Sequence, residues 1–234
     1  MPLHANVEPL SWESAFFHRA SGKLLFSDAA PVLNAAAMAQ YDIVQAKIPA
    51  DATAQADALS ALGFRLAESE VDLSVSLADR LDSEAFDGVR HAVESDIPTL
   101  REAARKTFAL SRFRTPWYAP EDSGRFYARW VENAVLGTFD DVCLVLEDSR
   151  RRPQGWVTLR QLPEQEARIG LLAAWPGQAG RGTGRRLMLA AESWCRQQNV
   201  LRLRVATQLG NIAALRLYLS GGARIDSTAH WLYR

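Results

Sequence analysis

The chain has 234 residues, enough for one large domain or two small ones at about 150 residues each. Its 27 Lys plus Arg balance 27 Asp plus Glu, and zero net charge excludes the broad basic field that non-specific nucleic-acid binding needs. With 48% hydrophobic and 23% charged residues, the composition is that of a folded globular protein, neither disordered nor of low complexity.

No run approaches the ~18 consecutive apolar residues of a membrane span. His4, Asn6 and Glu8 stand where a signal peptide needs an apolar stretch, so neither export nor a membrane partner is expected. The two cysteines, Cys143 and Cys195, have neither metal-ligand spacing nor a disulfide pattern, which fits a reducing cytoplasm. His4, His18, His91 and His230 form no metal-spaced pair, and no Gly-x-Ser-x-Gly elbow occurs. The expectation is therefore a cytoplasmic protein without a metal, and neither a zinc enzyme nor a serine hydrolase of that type.

In chain order, residues 23–27 and 41–48 read as strands, and 52–62 as a helix stopped at Gly63. Residues 64–77 place Val71, Leu73, Val75 and Leu77 at period two, a long half-buried strand. A charged stretch between Ala78 and Gly88 follows, and the domain boundary is expected there: a small α/β unit over residues 1–85 and a larger one over 86–234. A short strand at 89–93 precedes a helix that starts near Ser95-Asp96, with Pro98 in its first turn and Leu100, Ala103, Ala104 and Phe108 as its buried stripe. A second helix spans 123–136 and ends at Gly137. Strands are expected at 141–147, 155–162, 167–173 and 201–206, with helices at 184–198 and 212–220. Residues 223–225 and 229–233 read as two short terminal strands. The sum is an α/β protein, a mixed sheet flanked by helices.

Between a strand and a helix lies Gly180-Arg181-Gly182-Thr183-Gly184-Arg185-Arg186. Alternate glycines let backbone approach an anion, and a helix start offers unpaired N–H groups and a positive dipole end. The same loop suits a solvated turn. It is no dinucleotide fingerprint, because Arg185 occupies the place of the required third glycine and Thr207 and Gln208 stand where an acidic residue is needed at the next strand end; nor does any Gly-Lys-Ser/Thr triplet make a triphosphate loop. Asn211 and Tyr218, seven residues apart, fall on one stripe of the next helix, although Asn211 also suits a cap and Tyr218 also suits packing.

A strand, Gly-x-Gly-x-Gly, a helix, a strand, then Asn-x-Ala-Ala-x-x-x-Tyr resembles the GNAT superfamily of acyl-coenzyme A dependent N-acetyltransferases, here from Arg168 to about Gly222. Further segments are similar to acetyltransferases of dTDP-linked amino sugars within that superfamily. They include Ser111-Arg112-Phe113-Arg114, Pro116-Trp117-Tyr118-Ala119-Pro120, Arg204-Val205-Ala206-Thr207-Gln208 and Trp231-Leu232-Tyr233-Arg234. The resemblance implies the GNAT fold, with a mostly antiparallel central sheet, and transfer of the acetyl group of acetyl-CoA to the amine of dTDP-4-amino-4,6-dideoxygalactose for enterobacterial common antigen. It also implies a homodimer. The apolar chain end, Trp231 to Tyr233, could pair across a two-fold axis or form part of an internal sheet.

By the same resemblance Tyr218 protonates the departing thiolate, and backbone groups of Leu171, Leu172 and Ala173 meet the acyl oxygen and pantetheine arm. Gly180, Arg181, Gly182, Thr183, Gly184 and Arg185 hold the pyrophosphate, and Asn211 bonds the arm or steadies the loop. Glu68 is the candidate base, although without geometry a polar strand residue or a sugar contact is the reading ahead of it, and Glu70 carries the same ambiguity. Arg112, Arg114, Trp117, Tyr118 and Tyr127, with Arg125 and Arg129 on the same stretch, offer the aromatic faces and guanidinium groups that suit a base and a diphosphate, or else a packed helix with a basic face. Two alternatives remain: a GNAT enzyme for another amine, and a non-catalytic acyl-CoA-binding sensor.

Overall fold

The computed structural model describes residues 2–78 and 88–234. The strands are β1 (Ala5–Pro9), β2 (Ser21–Phe26), β3 (Ile43–Pro49), β4 (Arg65–Ser76), β5 (Val89–His91), β6 (Val142–Glu147), β7 (Pro153–Leu162), β8 (Glu166–Ala174), β9 (Arg202–Gln208) and β10 (Arg224–Tyr233). The helices are α1 (Ser11–Phe17), α2 (Ala35–Met38), α3 (Thr53–Ala61), α4 (Ile97–Thr107), α5 (Asp122–Val135), α6 (Thr183–Gln197) and α7 (Ile212–Ser220). The charged residues 79–87, where the domain boundary is expected, lie outside the described residues.

Among the described residues all ten strands join one sheet in the order β1-β2-β3-β10-β4-β9-β8-β7-β6-β5. Every pairing is antiparallel except β2 with β3 and β8 with β9. This is the mostly antiparallel sheet expected from the resemblance, with helices on both faces. Alternation along β6 assigns the faces. Val142, Leu144 and Leu146 pack with Leu187, Met188 and Trp194 of α6, whereas Cys143 and Val145 pack with Leu100 and Ala104 of α4 and Val131 of α5. The amino-terminal strands have their own core around Met38, Leu59 and Phe64.

Four elements differ from expectation. β1, α1 and α2 were not expected: β1 reads Ala-Asn-Val-Glu-Pro, a five-residue alternation with one β-branched residue and a terminal Pro, and it buries only Ala5. The two terminal pieces are one strand. In β10 the extra residue between Ile225 and Ser227 forms a bulge against β4, and the Asp-Ser-Thr segment there is exposed, which looks like a turn in sequence. Nor is this strand a free edge for a two-fold partner, because β3 pairs with one side of it and β4 with the other.

Where β10 meets β3, the Arg112 guanidinium joins three parts of the chain. It donates to Gln45 Oε1 at 2.9 Å and to the Tyr233 hydroxyl, and lies 3.6 Å from Glu13. It also sits between the rings of Trp231 and Phe113, 4.2 and 4.3 Å from their centroids. Loss of this mostly buried cation removes the positive partner of the Glu13 carboxylate, which keeps the Gln45 Nε2 donor at 2.6 Å but no compensating charge. Arg112→Met should therefore lower stability by roughly 3 kcal/mol, the low end for breaking a buried ion pair, as read by chemical denaturation.

Candidate active site

The parallel pairing of β8 with β9 runs only from Glu166↔Arg202 to Ile169↔Val205. Beyond it, Gly170–Ala174 of β8 and Ala206–Gln208 of β9 are unpaired with each other, and the sheet opens into a cleft. A bulge in β8 accompanies the opening: between the pairs Leu159↔Ile169 and Val157↔Leu172, β8 has one residue more than β7.

Gly170 makes this bulge sterically possible. A Cβ there would lie 2.2 Å from Asp140 Oδ2 and 2.8 Å from Thr158 Oγ1. Those two groups form a chain, in which Leu171 N–H donates to Thr158 Oγ1 (2.8 Å) and the Thr158 hydroxyl donates to Asp140 Oδ2 (2.6 Å). Trp130 Nε1 donates to the same carboxylate oxygen at 2.8 Å. Burial pushes the Asp140 pKa up against the pull of these two donors.

Leu171 N–H thus points toward β7, as does Trp175 N–H, which donates to Gln154 O at 2.7 Å. Successive strand residues direct their backbone groups to opposite sides, so Leu172 and Ala174 aim theirs into the cleft. Of residues 171–173, Leu172 is the one that presents its N–H and C=O there.

The cleft continues into a cavity of about 790 Å³. It brings together Glu68, Arg112, Tyr127, Leu171, Leu172 and Ala173 with Gly180, Gly182, Thr183, Gly184, Arg185, Asn211 and Tyr218. Its glycines act differently. Gly180 (φ 78°) and Gly182 (φ 77°) adopt left-handed backbone with open space where a side chain would be. Gly184 instead allows α6 to pack on α7, since a Cβ would meet Leu217 Cδ2 at 2.9 Å. The cavity-facing start of α6 follows Gly182 with no side-chain cap. Asn211 does cap α7, accepting from Ala214 N–H at 3.2 Å, which leaves its amide NH₂ as a donor.

Tyr218 is buried, and its hydroxyl bonds no other described residue; burial alone raises its pKa. Glu68 stands beside a second bulge, where Ala67 of β4 is extra between the pairs Trp231↔Glu68 and Leu232↔Leu66. Burial raises the Glu68 pKa, helped by the Glu70 carboxylate and opposed by Arg112 and a hydrogen bond with Gln208. Glu70 is held below its ordinary value: burial acts upward, but bonds from Lys47 Nζ (2.5 Å) and Trp231 Nε1 (3.1 Å) outweigh it.

Other expected site residues lie elsewhere. Trp117 and Tyr118 are buried in an aromatic cluster with Phe17, Phe113 and Tyr233, and line neither this cavity nor its neighbour. Arg181 is exposed and donates to the Gln178 side chain. Arg125 and Arg129 pair with Asp122 and Glu132. Arg114 lines a neighbouring cavity and donates to Ala67 O (3.1 Å) and Leu66 O (3.2 Å), holding the β4 bulge. Asp140, Thr158, Gly170 and Gln208 were not expected at the site. A glycine inside the alternating strand 167–173 was the available signal for a bulge. Among the described residues, no group of three or more His, Cys, Asp or Glu could hold a metal ion, and no helix is long and apolar enough to cross a membrane.

A splayed parallel strand pair followed by an uncapped helix start behind left-handed glycines defines an acyl-CoA-type acetyltransferase fold. The acetyltransferase (GNAT) family model matches residues 100–222, and the chain belongs to that family of acetyl-CoA-dependent enzymes. It is 50% identical to dTDP-fucosamine acetyltransferase of Escherichia coli O6:H1 across 234 residues, all of both chains. A GCN5-related N-acetyltransferase from Sphaerobacter thermophilus shares the fold with a TM-score of 0.62 at 16% identity, over 82% of this chain and 59% of that one. So does the PaiA N-acetyltransferase of Thermoplasma acidophilum in complex with coenzyme A, with a TM-score of 0.50 at 18% identity over 62% and 96% of the two chains.

Thr158→Val keeps the side chain's shape but leaves Leu171 N–H without an acceptor. It should cost about 1–3 kcal/mol and raise the KM for acetyl-CoA, whereas Thr158→Ser, which keeps the oxygen, should stay near the parent in both thermal unfolding and initial-rate kinetics.

Proposed function

We propose that this acetyltransferase moves the acetyl group of acetyl-CoA to the 4-amino group of dTDP-4-amino-4,6-dideoxy-D-galactose, the step expected for enterobacterial common antigen. The full-length 50% identity to dTDP-fucosamine acetyltransferase supports the acceptor. The observation that carries the chemistry is the single cavity lined by both Tyr218 and Glu68 across the β8–β9 cleft. The residues suit the co-substrate: the open, left-handed Gly180 and Gly182 and the N–H groups of Thr183, Gly184 and Arg185 would receive a pyrophosphate, with the Arg185 guanidinium beside them. Leu172 backbone groups and the Asn211 amide would meet the pantetheine arm.

The acetyl thioester supplies the acyl carbon. As the amine nitrogen bonds to that carbon and the carbon–sulfur bond breaks, the Leu172 N–H faces the oxygen on which negative charge develops. Glu68 takes the proton lost by the amine, directly or through water, and Tyr218 gives its hydroxyl proton to the sulfur. Solvent returns the proton from Glu68 to Tyr218, so the net change is amine plus thioester to amide plus thiol. Arg112 and Tyr127 line the acceptor side of the cavity, and Arg114 braces the strand that carries Glu68.

In this reading residues 1–85 contribute the base on β4 and residues 86–234 contribute the acid on α7. The resemblance also supports a cytoplasmic homodimer, whose seam would lie away from β10 because that strand is paired on both sides within the chain.

A thiol-release assay with acetyl-CoA and a panel of amino-sugar nucleotides tests the acceptor. Release with the 4-amino-4,6-dideoxygalactose nucleotide is expected, and release only with another amine overturns it. Tyr218→Phe should lose roughly 100-fold in kcat, with coenzyme A affinity within about twofold by calorimetry.

Glu68 has a raised folded-state pKa, so the stability it contributes is present below the ordinary carboxylate value and is lost as pH rises through the raised one. Glu68→Gln should therefore raise the melting temperature at pH 8 while lowering kcat about 100-fold. It should also remove the acid-side inflection from the pH profile of kcat.

A further inference from the structure

A second cavity, of about 800 Å³, adjoins the first and shares Glu68, Phe108, Phe113 and Gln208 as a common wall. It lies beyond the carboxyl end of β9, closed by the segment between α4 and α5. Nothing in the acetyl-transfer chemistry above uses it, and three independent features of its lining point to one class of ligand.

The first is charge. Arg105 and Arg114 both line the cavity, and neither pairs with a carboxylate among the described residues. Arg114 is also fixed in direction, donating to Leu66 O, Ala67 O and, at 2.9 Å, Thr115 O, and stacking 4.9 Å from the Trp117 ring. Those carbonyls orient the Arg114 guanidinium without neutralising it, so the lining carries two cationic residues and no acid but Glu68. The second is an apolar lip. Leu66, Leu110 and Leu209 line the same cavity and are 52%, 46% and 51% exposed, three large apolar side chains around one mouth. The third is a buried hydroxyl, Ser123 Oγ, which lines the cavity and has no hydrogen-bond partner.

We infer that this cavity receives the nucleoside diphosphate of the acceptor, with the diphosphate between Arg105 and Arg114 and the base against the leucine lip. This rests on the reading that the acceptor is a sugar nucleotide. The common wall explains how one molecule could occupy both spaces: the nucleotide enters from the leucine side, and the sugar amine reaches past Glu68 to the cleft. A second stretch of wall competes for the same role, since Arg160 of the first cavity stacks 4.6 Å from the Phe139 ring and has an unpartnered Nε. There Arg160 acts on the Asp140 carboxylate and the next arginine along that wall, Arg168, is paired with Asp72 at 3.2 Å, so the Arg105–Arg114 pair is favoured.

The test is calorimetric titration of the full chain with dTDP, which lacks the sugar, and separately with acetyl-CoA. Arg105→Gln removes an exposed charge, and Leu209→Glu places a like charge at the mouth without touching the core. Each should weaken dTDP binding about 10-fold or more and leave acetyl-CoA affinity within about twofold. Unchanged dTDP affinity in both variants overturns the site, as does a loss confined to Arg160→Gln. If the unaltered chain binds acetyl-CoA but no dTDP, the sugar-nucleotide acceptor itself is overturned, and this site with it.

Discussion

The last strand of the chain has to lie in the interior of the sheet, between β3 and β4, and the rest of the molecule is arranged around that requirement. β10 pairs with β3 through Ala229–Tyr233 and with β4 along nearly its whole length. It therefore turns β4 from an edge into an inner strand and holds the amino-terminal strands on the same sheet as the cleft. Sheet formation here needs contacts between residues near 45, near 70 and near 230, so neither part of the chain completes its hydrogen bonding without the other. Arg112 lies where these segments meet. Its planar guanidinium serves Glu13, Gln45 and Tyr233 at once while its faces are covered by Trp231 and Phe113, a combination that a lysine, with one ammonium and no flat face, could not reproduce.

Two bulges turn that sheet into a site. One extra residue in β8 aims the Leu172 backbone into the gap left by β9, and one extra residue in β4 sets the direction of Glu68. Each bulge is braced by side chains from other segments: the first by the Thr158–Asp140–Trp130 chain, the second by the Arg114 donors on Leu66 O and Ala67 O. The braces differ in kind because their surroundings do. Asp140 is buried and can hold its geometry only with donors on its oxygens, whereas Arg114 is exposed and gains direction from carbonyls that would otherwise face water.

The elements with strong period or clear stops were legible in the sequence. The Val71, Leu73, Val75 and Leu77 alternation, the stop at Gly63 and the Asn211 cap all appear within a residue or two of where they were read. At Gly180 and Gly182 the sequence left two uses open, close approach to an anion and a solvated turn, and the left-handed backbone at both is information that only the structure adds. Gly184 was not separable from them: its role is contact with Leu217, a residue of another helix that no local pattern names. The same limit hid Trp117 and Tyr118, whose composition suits stacking on a ligand but whose partners, Phe17 and Tyr233, come from the two ends of the chain. Asp140, Thr158 and Gly170 form their contacts across three segments, so only the odd glycine in β8 hinted at them.

The zero net charge conceals how unevenly the charge is used. Burial is the one influence on the Tyr218 phenol and keeps it protonated; a thiolate is the weaker base of the two, so the proposed transfer depends on the hydroxyl already lying beside the sulfur as charge builds there. Glu68 is placed among opposing influences instead, with burial and Glu70 on one side and Arg112 and Gln208 on the other. A proposed base has to accept a proton in one half of a turnover and release it in the other, and a group held at either extreme would do only one of these. Glu70 is the nearest contrast: two residues along the same strand, with a lysine and an indole N–H on its oxygens, it stays charged. Its fixed negative charge then acts on Glu68, so the ion pair at Lys47 bears on the proton affinity of a carboxylate that Lys47 does not itself bond.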